Sequence, residues 1–287
     1  MTDDRAEHPP MREAFSLLGH EIRLEILAAL IDEWVAAYTE PCTYAELMDA
    51  VDMQDSGKFN YHLGKLRGIY VEKVDDGYVP TAATTALYRT VLAYQPNQDI
   101  DRTRFTVDSA CPSCGSEPVG TYERGFLSVD CDSCAEWVGF SYPFPKHGFE
   151  NRSDDDAVRV AHRRCKHHVQ LAHSGQCPFC AGPTTSQIRA DALEEGNEPT
   201  VTIDCDSCSF RVGPRILFLL LLDPSATTAL TDIGIDIDQY EWELPDPRIR
   251  IVSSNPLRVR VEIDGEERTA AIVIDESLDV CSVVIDQ

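Results

Sequence analysis

The sequence predicts an α+β protein, and three observations support that prediction. Apolar residues recur at helical spacing near the N-terminus, a four-cysteine pattern occurs twice in the middle of the chain, and apolar and polar residues alternate near the C-terminus. We therefore expect N-terminal helices with a β-hairpin, two repeated modules separated by a helix, and a small C-terminal antiparallel sheet.

The first helices are predicted from an apolar stripe over residues 12–34, in which Gly19 separates a short helix from a longer one. Thr43 is followed three residues later by Glu46. This is the pattern of a capping box, in which each side chain bonds the backbone of the other, so a third helix should start here and end near Val51.

Either Asp55 or Ser56 is expected to cap a fourth helix that ends near Arg67. A β-hairpin with an Asp-Gly turn is predicted over residues 70–79, and a fifth helix over residues 82–95. Three apolar residues of the fourth helix should form its buried face: Phe59, Leu63 and Leu66.

This order of helices followed by a hairpin is that of a winged helix-turn-helix, and residues 11–95 resemble the ArsR-type family of transcription regulators. Four segments carry the resemblance: Leu18–Leu27, Tyr44–Leu47, Ser56–Leu63 and Leu66. The resemblance implies that the fourth helix enters the major groove of DNA while the hairpin contacts the backbone, and that the protein is a homodimer.

Positive charge is concentrated where the resemblance places DNA. The N-terminal 95 residues contain eight bases and 16 acids, yet Asp55–Val74 contains four bases and two acids, including three of the five lysines of the chain. Such a local cluster predicts phosphate contacts. The predicted DNA-contacting residues are Ser56, Lys58, Asn60, Tyr61, Lys65, Arg67, Lys73 and Tyr78. The alternative is a winged helix that contacts only proteins.

Two four-cysteine sets predict two metal sites, each built from two Cys-x2-Cys turns. The first set is Cys111, Cys114, Cys131 and Cys134, and the second is Cys177, Cys180, Cys205 and Cys208. Two such turns complete a tetrahedron around Zn²⁺, and β-prone residues between them are typical of zinc ribbons. Because four thiolates leave no open position, we expect two structural zinc ions per chain. Iron–sulfur ligation and redox-active pairs are the alternatives.

Three cysteines lie outside these sets. Cys42 and Cys281 have apolar neighbours in the sequence and are expected to be buried. Cys165 lies between His162 and His168 on a predicted helix, so it belongs either to the core face of that helix or to a regulatory metal site. No glycine-rich phosphate loop, open metal site or nucleophile motif is found, so we expect no enzyme.

The remaining elements complete the domain organisation. Ser153 should cap a helix that ends near His173, and alternation from Arg248 onward predicts four C-terminal strands. The predicted boundaries are 1–95 for the winged helix-turn-helix, 96–110 for a linker, 111–150 and 176–222 for the two zinc ribbons, 151–175 for the connecting helix, and 223–287 for the C-terminal α/β region.

Composition places further limits on function. The net charge is −24, which favours adaptation to molar salt over an acidic partner-binding surface. Without an apolar leader or a long apolar run, we expect a cytoplasmic protein.

The whole chain resembles archaeal regulators with an ArsR-type N-terminus and a zinc-containing C-terminal domain of unassigned role. The resembling C-terminal segments are Gly234–Ile237, Tyr240–Leu244 and Asn255–Val261. The resemblance implies sequence-specific binding of double-stranded DNA and transcription control, with an unknown effector or transcription-machinery partner. The alternative is an RNA-binding or transcription-machinery adaptor.

Overall fold

A computed structural model describes the chain in two compact units, residues 1–99 and residues 100–287. The described residues are 11–32, 40–75, 77–94, 103–134, 137, 139–189 and 200–286. Residue 76 of the predicted hairpin turn and residues 96–102 of the predicted linker lie outside these ranges. No helix in the described ranges combines the length and the apolar character that crossing a bilayer requires.

The first unit contains the predicted helices and hairpin in the predicted order. Its elements are α1 (Met11–Leu18), α2 (Glu21–Asp32), α3 (Tyr44–Ala50), α4 (Ser56–Leu66), β1 (Val71–Val74), β2 (Gly77–Pro80) and α5 (Ala82–Tyr94). Strands β1 and β2 pair antiparallel, with Val71 opposite Pro80 and Val74 opposite Gly77.

Local hydrogen bonds start the helices of this unit where the sequence predicts them. The Thr43 hydroxyl accepts the backbone N–H of Glu46 at 3.2 Å, and the Glu46 carboxylate accepts the N–H of Thr43 at 2.8 Å. The Asp55 carboxylate accepts the N–H of Lys58 at 3.0 Å and begins α4. Each cap satisfies backbone donors that a helix leaves unpaired.

The core of the first unit lies between α2, α3, α4 and the hairpin. The three predicted apolar residues of α4 are buried in it, together with Ile26, Leu30, Leu47 and Val71. Phe15, one of the apolar residues of the predicted stripe over residues 12–34, is 61% exposed. Because the apolar residues of α4 face this core, the opposite side of the helix is exposed to solvent.

The second unit begins earlier than the predicted linker boundary. Thr103–Thr106 forms strand β3, which pairs with β4 (Val119–Glu123), and Val107 is fully buried. Strands β5 (Phe126–Asp130) and β6 (Phe140–Pro143) complete a four-stranded antiparallel sheet. The linker prediction is wrong here because the segment looks polar, while its few apolar side chains pack inward.

The second repeated module contains a corresponding antiparallel hairpin, and the edge strand that follows this hairpin is shorter than in the first module. Strands β7 (Thr184–Arg189), β8 (Thr200–Cys205) and β9 (Arg211–Val212) form its three-stranded sheet. Between the modules lie α6 (Lys146–Glu150) and α7 (Asp154–His173), and the Ser153 side chain caps α7 as predicted.

The C-terminal part of the unit is the predicted antiparallel sheet. Its strands are β10 (Arg248–Ser254), β11 (Leu257–Asp264), β12 (Thr269–Asp275) and β13 (Val280–Asp286), paired in chain order. Helices α8 (Ile216–Leu220) and α9 (Pro224–Asp232) precede it. Every residue of α8 is buried, so this apolar segment belongs to the core.

Helix α7 connects two hydrophobic cores. Ala157, Val158 and Ala161 pack into the core of the first module, and Val169 and Ala172 pack into the core shared by the second module and the C-terminal sheet. One helix therefore positions both cysteine modules in the second unit.

Candidate functional sites

The first four-cysteine set forms one compact cluster in the second unit. Cys111 and Cys114 lie in the turn between β3 and β4, and Cys131 and Cys134 follow β5. The four Sγ atoms lie within 4.8 Å of one another. The Cys111–Cys134 and Cys114–Cys131 sulfurs are 3.6 and 3.5 Å apart.

The second set has the same geometry. Its Sγ atoms also lie within 4.8 Å of one another, with 3.7 Å between Cys177 and Cys208 and 3.5 Å between Cys180 and Cys205. A tetrahedron with metal–sulfur bonds of ~2.3 Å has edges of about 3.8 Å, whereas a disulfide joins sulfurs at about 2.05 Å. Both clusters therefore have the dimensions of metal sites and not of disulfides.

The two turns that begin the clusters share a hydrogen-bond pattern. In the first, Cys111 N–H donates to the Ser116 carbonyl at 2.8 Å and Gly115 N–H donates to the Cys111 carbonyl at 2.9 Å. In the second, Cys177 N–H donates to Gly182 at 2.8 Å and Ala181 N–H donates to Cys177 at 3.0 Å. The internal repeat of the sequence is therefore a repeat of backbone structure.

Nearby donors stabilise thiolates in these turns. Hydrogen bonds from the backbone and hydroxyl of Ser116, and then from Cys131, lower the pKa of Cys114 to about 6. In the second cluster, the amides of Gly182 and Ser207 donate to the sulfurs of Cys180 and Cys205 at 3.4 and 3.3 Å. For Cys180 the Gly182 amide lowers the pKa, but the hydrogen bond with Cys205 and burial raise it overall. Because a metal ion binds the deprotonated thiol, the amide and hydroxyl donors favour metal binding.

The residues present fit a tetrathiolate metal ion with no open coordination position. Such a site can brace the fold but offers no place for a bound water or substrate. Among the residues that the structure describes, only these two sets bring three or more potential metal ligands together.

Cys165 belongs to the interior of the second unit. It packs against both cores, and burial followed by the charge of Glu241 raises its pKa to about 12. The neighbouring histidines have other partners, since His162 Nε2 accepts the Glu241 N–H at 3.1 Å and His168 Nδ1 is 2.8 Å from the Tyr142 hydroxyl. This geometry supports the core-face interpretation of Cys165 over the regulatory metal site.

The other two cysteines differ from each other. Cys42 is half-buried against the core of the first unit. Cys281 was expected to be buried but is exposed. It lies on the edge strand β13, where the pairing passes from Val280–Ile274 to Ser282–Val273 and leaves Cys281 as the extra residue of a bulge.

Most of the predicted DNA-contacting residues lie on the surface of the first unit. The exposed residues are Ser56, Lys58, Asn60, Tyr61 and Lys65 on α4, Arg67 at its end and Lys73 on β1. The Lys65 ammonium lies 5.6 Å from the centre of the Tyr61 ring. Within the described ranges, no carboxylate lies within 4.0 Å of these four cations, so they are available to an anionic partner.

Tyr78 is a correction to the predicted set. Its side chain is only 7% exposed and packs in the core of the first unit, while its backbone pairs with Cys42. The burial of β2 does not alternate, since Gly77, Tyr78 and Pro80 are all buried, and Tyr78 packs inward although its cross-strand partner Lys73 is exposed. Its ring cannot make the predicted contact.

A histidine pair on the inner side of α4 was not predicted from the sequence. His62 is 5% exposed, and its ring centre is 4.1 Å from that of His20. Burial, and then the charges of His20, Arg23 and Lys58, lower the pKa of His62. The ring contact packs α4 against the residue that precedes α2. Long-range contacts of this kind leave no signal in sequence spacing.

Two family models match the chain. One, described as a domain of unknown function (DUF7351), matches residues 108–280, and a second, also a domain of unknown function (DUF7347), matches residues 11–91. No curated protein and no solved structure matches the chain.

Proposed function

The chain belongs to the DUF7351 family, a domain of unknown function, and we propose that it binds double-stranded DNA and regulates transcription. In this proposal α3 and α4 form the helix-turn-helix, β1 and β2 form the wing, and the unit is an ArsR-like winged helix. The second unit contains two structural zinc ions and has a regulatory or interaction role.

One observation carries the proposal: α4 has an apolar inner face, and its outer face carries an amide and cations that contact no carboxylate among the described residues. Lys58 and Asn60 are exposed on α4, and Lys73 is exposed on the hairpin that follows. Lysine contacts phosphates and guanine edges, and asparagine pairs with adenine. In a chain of net charge −24, this surface is a local exception that favours DNA.

Exposed apolar residues support the proposed homodimer. Phe15 on α1 is 61% exposed, and Val91 and Leu92 on α5 are 47% and 53% exposed. Exposed apolar residues that form one continuous surface are typical of association surfaces, and a dimer interface that combines α1 and α5 would cover all three. A two-fold dimer would place two copies of α4 on a pseudo-palindromic DNA site.

Zinc is the proposed metal because each site offers four thiolates. Soft sulfur ligands in a closed tetrahedron select Zn²⁺ over Mg²⁺ or Ca²⁺, which prefer oxygen. The two ions would brace the sheets of the second unit and supply no chemistry to a bound partner.

The test is to select the DNA fragments that bind the purified chain in about 1 M KCl, where distant charges are screened and direct contacts dominate. We expect one enriched palindromic motif. Replacing Lys58 and Asn60 together by Ala should abolish the enrichment. Arg89→Ala, which removes an exposed cation from α5, should leave it intact. Unchanged enrichment by the double variant would disprove the assignment of α4.

A second candidate is an adaptor that binds RNA or the transcription machinery. Phe179 in the second cysteine turn favours it, because this ring is 60% exposed and borders His168 and Phe210. Exposed aromatic rings stack on unpaired bases or enter protein pockets. Single-stranded RNA that outcompetes duplex DNA in the same salt, with loss of binding in Phe179→Ala, would favour this candidate.

A further inference from the structure

The second unit contains a cavity of about 450 Å³ between α7 and residues 237–243. Three basic side chains of α7 line it, Arg159, Arg163 and Lys166. Their spacing of four and then three residues places them on one face of the helix. The cavity lies entirely within this unit and is separate from both cysteine clusters.

Two of these cations, Arg163 and Lys166, have no carboxylate partner within 4.0 Å among the described residues, whereas Arg159 lies 3.8 Å from Asp156. Elsewhere in the unit, arginines contact carboxylates directly, as Arg250 contacts Glu262 at 2.9 Å. Lys166 donates to the backbone carbonyl of Ile237 at 3.3 Å, which leaves its charge uncompensated.

The wall of the cavity opposite α7 consists of residues 237–243, and ring stacking and hydrogen bonds hold this segment in place. The Tyr240 ring stacks on Trp242 with 4.4 Å between ring centres, and Trp242 is 2% exposed. The Glu243 carboxylate accepts the N–H of Tyr240 at 3.0 Å, and His162 accepts the N–H of Glu241. The cavity is therefore preformed by packing and hydrogen bonds.

Carboxylates line the same cavity beside the cations, namely Asp108, Asp155, Asp238 and Glu243. A ligand that fits must offer anionic oxygens to the three basic side chains of α7 and hydrogen-bond donors to the carboxylates. Arginine and lysine side chains donate several hydrogen bonds to a phosphate group, and a cavity of this size accommodates a small metabolite.

We propose that this cavity binds a small phosphorylated metabolite that also carries hydroxyl or amino groups, and that the metabolite is the effector of the protein. The effector role rests on the proposed function, whereas the binding site does not. Binding is therefore measured on the full metal-loaded chain in the absence of DNA, so that a failure of either proposal is seen separately.

The probes are AMP, inorganic phosphate and adenosine, titrated calorimetrically in about 1 M KCl, where unspecific surface binding of anions is screened. AMP should bind and raise the melting temperature, phosphate should bind more weakly, and adenosine should not bind. Absence of binding by both AMP and phosphate would overturn the proposal. Equal affinity for adenosine and AMP would also overturn it, because the basic side chains of α7 would then contribute nothing to the binding of the phosphate group.

The matched variants are Arg163→Gln and Arg164→Gln. Both residues are exposed on α7, but only Arg163 lines the cavity. Loss of one charge-assisted contact should weaken AMP binding about tenfold in the first variant and leave the second unchanged. The metal content and the melting temperature without ligand show that both variants are folded. An equal effect of the two substitutions would contradict the proposed site.

Discussion

The two cysteine modules share the geometry of their metal ends and an antiparallel hairpin, but they pack against different cores. Both have the same pair of backbone hydrogen bonds in the first turn and the same sulfur spacing. The first module packs against an aromatic core with Phe140, Tyr142 and Trp242, whereas the second packs against the aliphatic residues of α8 and the C-terminal sheet.

This difference indicates which constraints are strict in such a module. Four sulfurs must meet at distances set by the metal, so the turns tolerate little change. The opposite side of each hairpin needs only apolar contacts, and many combinations of side chains supply them. A duplicated metal module can therefore keep its turns while each copy acquires a different neighbour in the same unit.

The largest expected effect comes from removing one ligand of either module. Cys114→Ser and Cys180→Ser should each release one of the two metal ions, which elemental analysis of the purified chain measures. Structural zinc binding contributes about 10–16 kcal/mol to zinc-finger folding, as much as the whole stability of a typical domain. The hairpin of the affected module should therefore lose its hydrogen-exchange protection.

Cys281→Ser is the matched control, because it removes an exposed thiol that ligates nothing in the described part of the chain. It should change neither the metal content nor the protection of either hairpin. If Cys114→Ser and Cys180→Ser keep two metal ions, the tetrathiolate assignment is wrong.

A second prediction concerns buried titratable groups on the side of the first module. Burial, and then Lys166, lower the pKa of His162 to about 4. Burial raises the pKa of Glu241 to about 7, although Arg215 opposes this shift. Among described residues, the aliphatic core of the second module has no buried histidine or carboxylate. The two modules should therefore respond differently to pH.

The two groups act in opposite directions. His162 is neutral in the fold, so its stabilisation is complete above its ordinary pKa of 6.5 and is lost as the pH falls to about 4. Glu241 is protonated more easily in the fold, so its stabilisation is complete below its ordinary pKa of 4.5 and is lost as the pH rises to about 7. Each group changes the free energy of unfolding by on the order of 3 kcal/mol, and the pH ranges of the two changes overlap.

Glu241→Gln separates these effects. We expect the variant to be more stable than the natural chain at pH 8 and to lose more stability than the natural chain as the pH falls from 6.5 toward 4, because the opposing effect of Glu241 is removed. Denaturant unfolding at several pH values measures both changes. A variant whose stability is independent of pH in this range would contradict the buried, neutral state of His162.

The sequence predicted the elements that local rules determine. The capping box of α3, the cap of α7 and the cysteine spacing each depend on residues a few positions apart, and the structure has all three. The alternation from Arg248 onward predicted four C-terminal strands, and the structure has four, the first of which begins at Arg248.

The predictions that were wrong depend on contacts between residues that are far apart in the sequence. Strand β3 exists because β4, thirteen or more residues later, pairs with it. Tyr78 is buried by packing against the helices of the first unit, and Cys281 is exposed by a bulge that no spacing rule indicates. The cavity beside α7 depends on Tyr240 and Trp242, far from α7 in sequence. Such features require the folded chain.

The smallest expected effect concerns one backbone position that the two modules fill differently. After the first cysteine pair, the first module has Gly115 at φ +74°, and the second has Ala181 at φ +57°. A left-handed conformation costs a non-glycine residue roughly 1–2 kcal/mol. Ala181→Gly should therefore stabilise the second module, although the greater freedom of glycine in the unfolded chain offsets part of the gain.

The reciprocal change is Gly115→Ala. A Cβ atom there would meet nothing within 4 Å, so the substitution introduces backbone strain without a steric clash. It should destabilise the first module by about 1 kcal/mol, which hydrogen exchange of each hairpin can resolve. If Ala181→Gly raises the stability of its module and Gly115→Ala lowers the stability of its own, the two turns are equivalent in energy as well as in hydrogen bonding. Equal signs would mean that the surroundings of each module, and not the shared turn, determine the cost.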